Sequence, residues 1–140
     1  MNAPRSRARE AALQILYFWE IGRAQPQAAI DAFFAEHGPD APAEVVSFAT
    51  EIVHGTVSEI ADLDQVIGRH SAHWRIERLA VIDRLILRMA VWELQHRADT
   101  PRAVVLNEAI ELARRFSGDD AVRFVNGVLD AVKSGPQAAP

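Results

Sequence analysis

The sequence predicts an all-α protein of six or seven helices, on three observations. No alternating apolar and polar run is bounded by Asn-Gly or Asp-Gly, so hairpin signals are missing. Apolar residues recur instead at spacings of three and four. Glycine and proline punctuate the chain where helices would start and stop.

The first helix is expected over residues 6–21, where Ala8, Ala12, Ile15, Leu16 and Trp19 form one stripe and Gly22 supplies the terminator. A second is expected over residues 26–36, with Pro26 in its first turn, where a missing N–H is harmless. The segment His37-Gly38-Pro39-Asp40-Ala41-Pro42 reads as a loop and offers a place for the chain to divide into two helical sub-bundles. A long helix over residues 43–68 follows, with Gly55 as its expected break or bend, and residues 70–75 read as a connection. The helix expected over residues 76–97 is apolar around most of its circumference, which makes it the central, buried one. Pro101 opens the next helix, which runs to Phe116 with Glu111 and Arg115 paired at i,i+4. Gly118, Asp119 and Asp120 separate it from a last helix ending near Lys133. One domain is expected over residues 1–135, followed by a disordered tail at 136–140.

A chain of 140 residues, 49% hydrophobic and 24% charged, can bury a core without staples. The absence of cysteine excludes disulfides and thiolate metal sites and fits a reducing cytosol. Glu10 and Glu20 interrupt the apolar stretch behind the basic start, so no secretory signal is expected. Residues 79–94, the most apolar window, contain Asp83, Arg84, Arg88 and Glu93 and are too short and too charged to span a bilayer. A soluble, cytoplasmic protein without a membrane partner is the expectation. The formal net charge of −4 argues, taken alone, against nucleic acid. Its distribution argues otherwise. Residues 1–9 carry Arg5, Arg7 and Arg9 and no acid, which leaves the rest of the chain at −7, three below the whole-chain value of −4. Residues 24–68 hold eight acids and no Lys or Arg, whereas residues 69–97 hold six arginines against Glu77, Asp83 and Glu93. The molecule is therefore polarised. Fourteen of its fifteen basic residues are arginine, whose planar fork suits phosphate contact and stacking, although a GC-rich genome gives the same bias.

Catalysis is not expected. Neither GxGxxG nor GxxxxGK[ST] occurs among the seven scattered glycines, so no turn cradles a phosphate. No serine stands on a nucleophile elbow, and no cysteine is present to pair with a histidine. His70 and His73 lie three apart, a spacing that metal sites use, but two ligands without a third read as solvated loop histidines. No metal or other cofactor is expected.

The cluster Arg5-Ser6-Arg7-Ala8-Arg9 stands at a helix N-terminus, where the dipole and free amides attract anions. Phosphate is its natural ligand, and a solvated charged end is the alternative. Asp83 is the most informative single residue, because Ala80, Leu87, Ala90 and Leu94 place a carboxylate in an apolar stripe. Burying it unpaired would cost several kcal/mol, so Asp83 either pairs with an arginine or lies in a surface that a partner covers. Glu93, on a face with Ile86 and Met89, raises the same question less sharply. In the last helix Arg123, Phe124 and Gly127 share one face with Asn126 adjacent, while Val125, Val128, Leu129 and Val132 form the core stripe. A phenylalanine beside an arginine can stack a base. The mid-helix glycine costs about 1 kcal/mol against alanine, so it answers to a close approach, by a neighbouring helix or by RNA.

Three stretches carry a family resemblance: Arg7-Ala8-Arg9-Glu10-Ala11-Ala12-Leu13-Gln14-Ile15-Leu16-Tyr17; Leu87-Arg88-Met89-Ala90-Val91-Trp92-Glu93-Leu94 with the segment from Pro101 to Ala113; and Phe124-Val125-Asn126-Gly127-Val128-Leu129-Asp130. In order and spacing they resemble the NusB family of bacterial transcription antitermination factors. The resemblance covers residues 5–21 and 79–133, and residues 23–75 match only in helical character. It implies a NusB-like fold of two small helical bundles packed together, with no cofactor. The activity it implies is binding of the single-stranded boxA element of nascent ribosomal RNA as a heterodimer with NusE, the small-subunit ribosomal protein, so that RNA polymerase ignores terminators. Other Nus factors and the polymerase are then indirect partners.

Carried onto this sequence, the resemblance implies that Arg5, Arg7 and Arg9 grip RNA phosphates. Tyr17 and Phe124, with Arg123 and Asn126, would line the RNA-facing side, and Asp120 would border the RNA and temper affinity. Asp83 and Glu77 would meet the ribosomal protein. Ser6 interrupts the arginine run and lowers electrostatic affinity; three phosphate contacts on a single strand would give a salt slope of about −2. An apolar, tyrosine-bearing first helix is compatible with a homodimer that hides this face. Two rival readings stand beside the first. A related helical domain begins some ribosomal RNA cytosine methyltransferases, against which the short length and missing cofactor loop argue. A protein-interaction module without an RNA role would use the acid-rich middle and Asp83 as its surfaces.

Overall fold

All regular structure in the computed structural model is helical among the described residues, 3–71 and 75–133. The chain divides into two units between Ser58 and Glu59.

The first unit holds α1 (Ala3–Gly22), α2 (Pro26–His37) and α3 (Ala43–Ser58). α1 starts ahead of its expected residue 6, because Pro4 falls in the first turn, where helices tolerate proline. Ala8, Ala12, Ile15 and Leu16 are buried as their stripe requires, and Ala11 and Leu13 join them. The wider apolar face follows from packing against two helices, α2 and α3. α3 contributes Val45, Phe48, Ala49, Ile52 and Val53 to the core, and α2 contributes Ile30. The loop between α2 and α3 joins neighbours within this unit, so it is not the divide that its composition suggested.

Gly55 does not break the long helix either. α3 runs through it to Ser58, whose hydroxyl donates to the Gly55 carbonyl at 3.1 Å. Such a bond offers the backbone an alternative to the helical ladder. The chain leaves the helix at the next residue, Glu59, with φ −118° and ψ 20°.

The second unit holds α4 (Ile60–His70), a 3-10 turn (Ile76–Arg78), α5 (Val81–His96), α6 (Arg102–Phe116) and α7 (Asp119–Ala131). The helix expected from residue 76 begins instead at Val81, because the 3-10 turn closes on its own bonds, Arg78 N–H to the Arg75 carbonyl and Leu79 N–H to that of Ile76. Leu79 and Ala80 are then extended. α5 is central: ten consecutive residues, 85–94, are buried, and it packs on α4, α6 and α7. Within that stretch Arg88 reaches Asp64 of α4 by two parallel bonds, Nε to Oδ1 and Nη2 to Oδ2, each 2.8 Å. Glu93 is buried and engaged within the protein.

α6 and α7 complete this core with Val105, Ala109, Leu112, Ala113, Ala121, Val125, Val128, Leu129 and Val132. Gly118 turns between them at φ 153°, a conformation that favours glycine. From the first turn of α6, Arg102 donates to the carbonyls of Leu129 and Asp130 at 2.9 Å each and to that of Val132, closing the C-terminal end of α7. Glu111 pairs with Arg114 at i,i+3 rather than with Arg115, whose guanidinium lies over the Phe116 ring. No helix among the described residues is long and apolar enough to cross a membrane. His73 and the tail at 136–140 lie outside the described residues.

Candidate nucleic-acid interface

The three N-terminal arginines meet different fates, set by helical spacing. Arg5 and Arg9 are four residues apart and face the same way, towards α3. There Phe48 receives both: the Arg5 guanidinium lies 4.8 Å and the Arg9 guanidinium 5.4 Å from the ring centroid. Such stacking is attractive because the face of an aromatic ring carries negative charge. Arg9 is buried, Arg5 half-buried, and Arg7 exposed. Arg7 has no ion pair or ring contact among the described residues. The first turn of α1 carries no acid, so nothing there offsets the positive dipole of the helix start.

Further along α1 three large apolar side chains are open to solvent: Tyr17 at 39%, Phe18 at 56% and Ile21 at 62%. Tyr17 and Phe18 meet edge to face, with ring centroids 6.4 Å apart. Phe18 lies eleven residues beyond Arg7, roughly three turns, and therefore on nearly the same line of the helix. Sequence reasoning named Tyr17 and missed both Phe18 and Phe48. The spacing from Arg7 was a usable signal for Phe18. For Phe48, on another helix, no local signal exists.

On α7, in the second unit, the core stripe faces inward and its opposite face is open. Arg123, Asn126 and Gly127 are exposed, and Phe124 is half-buried. Asp120 sits one turn before Arg123 and holds it by an exposed bond, Nη2 to Oδ1 at 2.7 Å. An exposed pair of this kind is weak, so the guanidinium can be given up to a stronger anion. A Cβ built on Gly127 meets nothing within 4 Å, so no neighbouring helix accounts for that glycine.

The two acids assigned to a protein partner flank the entry to α5. Glu77, in the 3-10 turn, is exposed and pairs loosely with Arg75 at 3.8 Å. Asp83 stands in the first turn of α5, where the helix dipole favours a carboxylate. Its Oδ1 is buried and has no hydrogen-bond partner among the described residues, so the internal arginine pair that sequence reasoning offered as one option is missing there. Arg84 Nη1 approaches the Ile76 carbonyl at 3.5 Å, which ties this turn to the helix that follows. The candidate residues thus form an α1 set in the first unit and two sets in the second. No group of three or more potential metal ligands occurs among the described residues.

The pattern of the NusB family matches residues 6–134. The chain is 47% identical to the transcription antitermination protein NusB of Solibacter usitatus, over 94% of this chain and 89% of that one. It is 42% identical to its counterpart in Myxococcus xanthus, covering 94% and 95%. Among solved structures, NusB from T. maritima superposes with a TM-score of 0.84 at 31% identity, over 93% of this chain and 90% of that one. A crystal structure of the antitermination factors NusB and NusE in complex with double-stranded RNA superposes with a TM-score of 0.85 at 27% identity, covering 94% and 96%. With the match spanning nearly all of its length, this chain belongs to the NusB family.

Proposed function

We propose that this protein is an RNA-binding transcription antitermination factor, acting in the cytoplasm by binding rather than by catalysis. It takes boxA-type single strands of ribosomal RNA transcripts together with NusE and keeps transcription processive. The observation that carries this reading is the open face of α7, which turns a weakly held guanidinium, an amide and bare backbone outward beside a half-buried aromatic ring. Those groups bind a phosphate, stack a base and read a base edge, the three contacts single-stranded RNA offers. The solved relative that holds NusE and RNA supports the same pairing. Arg7 adds a phosphate contact, Tyr17 an aromatic one, and Arg5 and Arg9 add positive field from their seat on Phe48. Asp120 competes with phosphate for Arg123 and so tempers affinity. Asp83 and Glu77 face NusE, with Glu77 the exposed member of the pair.

Titration of fluorescent boxA-like RNA, its scrambled version and its duplex, each with and without equimolar NusE, tests the reading. Binding should favour boxA over the other two, because stacking on Phe124 needs an unpaired base. It should strengthen with NusE. Equal affinity for boxA and scrambled RNA in both conditions would overturn it and leave a protein-interaction module.

A further inference from the structure

The connection between α6 and α7 presents a side chain that the functional reading leaves unused. Ser117 follows the last residue of α6, is exposed, and has left helical geometry at φ −128° and ψ −71°. Its N–H donates to the Ala113 carbonyl at 2.9 Å, while its hydroxyl has no hydrogen-bond partner among the described residues. Gly118 comes next at φ 153°, with open space where a Cβ would lie, so the turn is clear on that side. The other described Ser and Thr side chains are buried, bonded within the protein or set inside a helix.

Arg114 and Arg115 stand three and two positions before Ser117, and both are exposed. Arg114 is held by Glu111 in an exposed pair, and the Arg115 guanidinium lies 5.3 Å from the Phe116 ring centroid. Such surface contacts are weak, so an acidic pocket can take both guanidiniums. The end of a helix frays readily, which lets this segment extend into a groove. Two arginines ahead of a free hydroxyl form the charge pattern that a basophilic Ser/Thr kinase reads with carboxylates. We propose that Ser117 is a phosphoacceptor for a kinase of that class, and that the phosphate lowers affinity for RNA. The Ser117 oxygen attacks the γ-phosphorus of ATP in line; the bond to the β,γ-bridging oxygen breaks, ADP leaves with that electron pair, and the hydroxyl proton passes to a carboxylate of the kinase. Phosphoserine brings about −1.5 to −2 charges near pH 7. It stands just before α7, whose N-cap, Gly118, offers the first amides no side-chain acceptor. There it joins Asp119 and Asp120, and RNA phosphates approaching Arg123 meet added repulsion. The effect on binding rests on the RNA-binding reading; the acceptor does not.

Incubation of the full chain with ATP and the cAMP-dependent protein kinase, a basophilic enzyme, tests the acceptor. Peptide mass should place one phosphoryl group on Ser117, absent from Ser117→Ala and strongly reduced in the double variant Arg114→Ala with Arg115→Ala. No phosphoryl group on Ser117, or the same yield without the arginines, would overturn the proposal. Phosphorylated protein should bind boxA RNA about tenfold more weakly at low salt, with the difference shrinking as salt rises, whereas Ser117→Ala should bind as the native chain does. Equal affinity with and without the phosphate, where Arg7→Ala still weakens binding, would overturn the effect on RNA and leave the RNA-binding reading standing. If the native chain binds boxA no better than scrambled RNA, that reading falls, and the mass of the Ser117 peptide still decides the acceptor.

Discussion

Arg7 and Arg9 differ by two positions and by everything that matters physically. Arg9 is 4% exposed and stacks on Phe48, whereas Arg7 stands in solvent. Removing Arg9 deletes buried methylenes, a ring contact and its other engagements, so Arg9→Ala should destabilise the fold by about 1 to 3 kcal/mol, read from urea unfolding. Arg7→Ala should leave that midpoint in place. It should instead weaken RNA binding several-fold and make the plot of log K against log salt shallower by about 0.7, the loss of one phosphate contact on a single strand. If the two variants exchanged phenotypes, the division between a structural and a binding arginine would be wrong.

At the scale of elements, α5 owes its central place to a pattern that is apolar nearly all round, and its one buried arginine needs an answer from elsewhere. Asp64 supplies it through a two-pronged bond, with the Arg88 side chain 8% exposed and that of Asp64 26% exposed. Breaking such a pair strands a buried charge, while replacing both members with apolar groups does not. Asp64→Ala is expected to cost about 3 kcal/mol, the low end for a pair with one partly wetted partner. The double variant Asp64→Leu with Arg88→Met should recover most of that loss in the same unfolding experiment. Arg102 plays a related part between α6 and α7, where its fork occupies carbonyls that the helix end cannot satisfy itself.

For the whole molecule, the charge pattern matters more than its sum. A net charge of −4 with an acid-free arginine cluster at one end makes RNA binding by the protein alone weak and local. Two phosphate contacts, at Arg7 and Arg123, would give a salt slope of about −1.4, and a partner that adds its own contacts should steepen it. Measuring K between low and moderate salt, with and without NusE, checks this. An unchanged slope in the presence of NusE would mean that the partner acts on the protein and not on the RNA.

Much of this was legible in the residues. The helical class, the span of α2, the proline that opens α6, the buried character of α5 and the core stripe of α7 all follow from periodicity and caps, which act within a few residues. That Arg123 and Asn126 stand off the core face of α7 was legible for the same reason. Only the tertiary structure decided which N-terminal arginine is free, because the ring that claims Arg5 and Arg9 lies on α3. It decided where the chain divides, at Ser58 and Glu59 rather than in the proline-rich loop, because division follows which helices share a core. It also decided that Gly127 faces open space, since an absent neighbour leaves no mark in a sequence. Local spacing sets what a segment becomes; contacts between residues far apart in the chain set which of its side chains remain available.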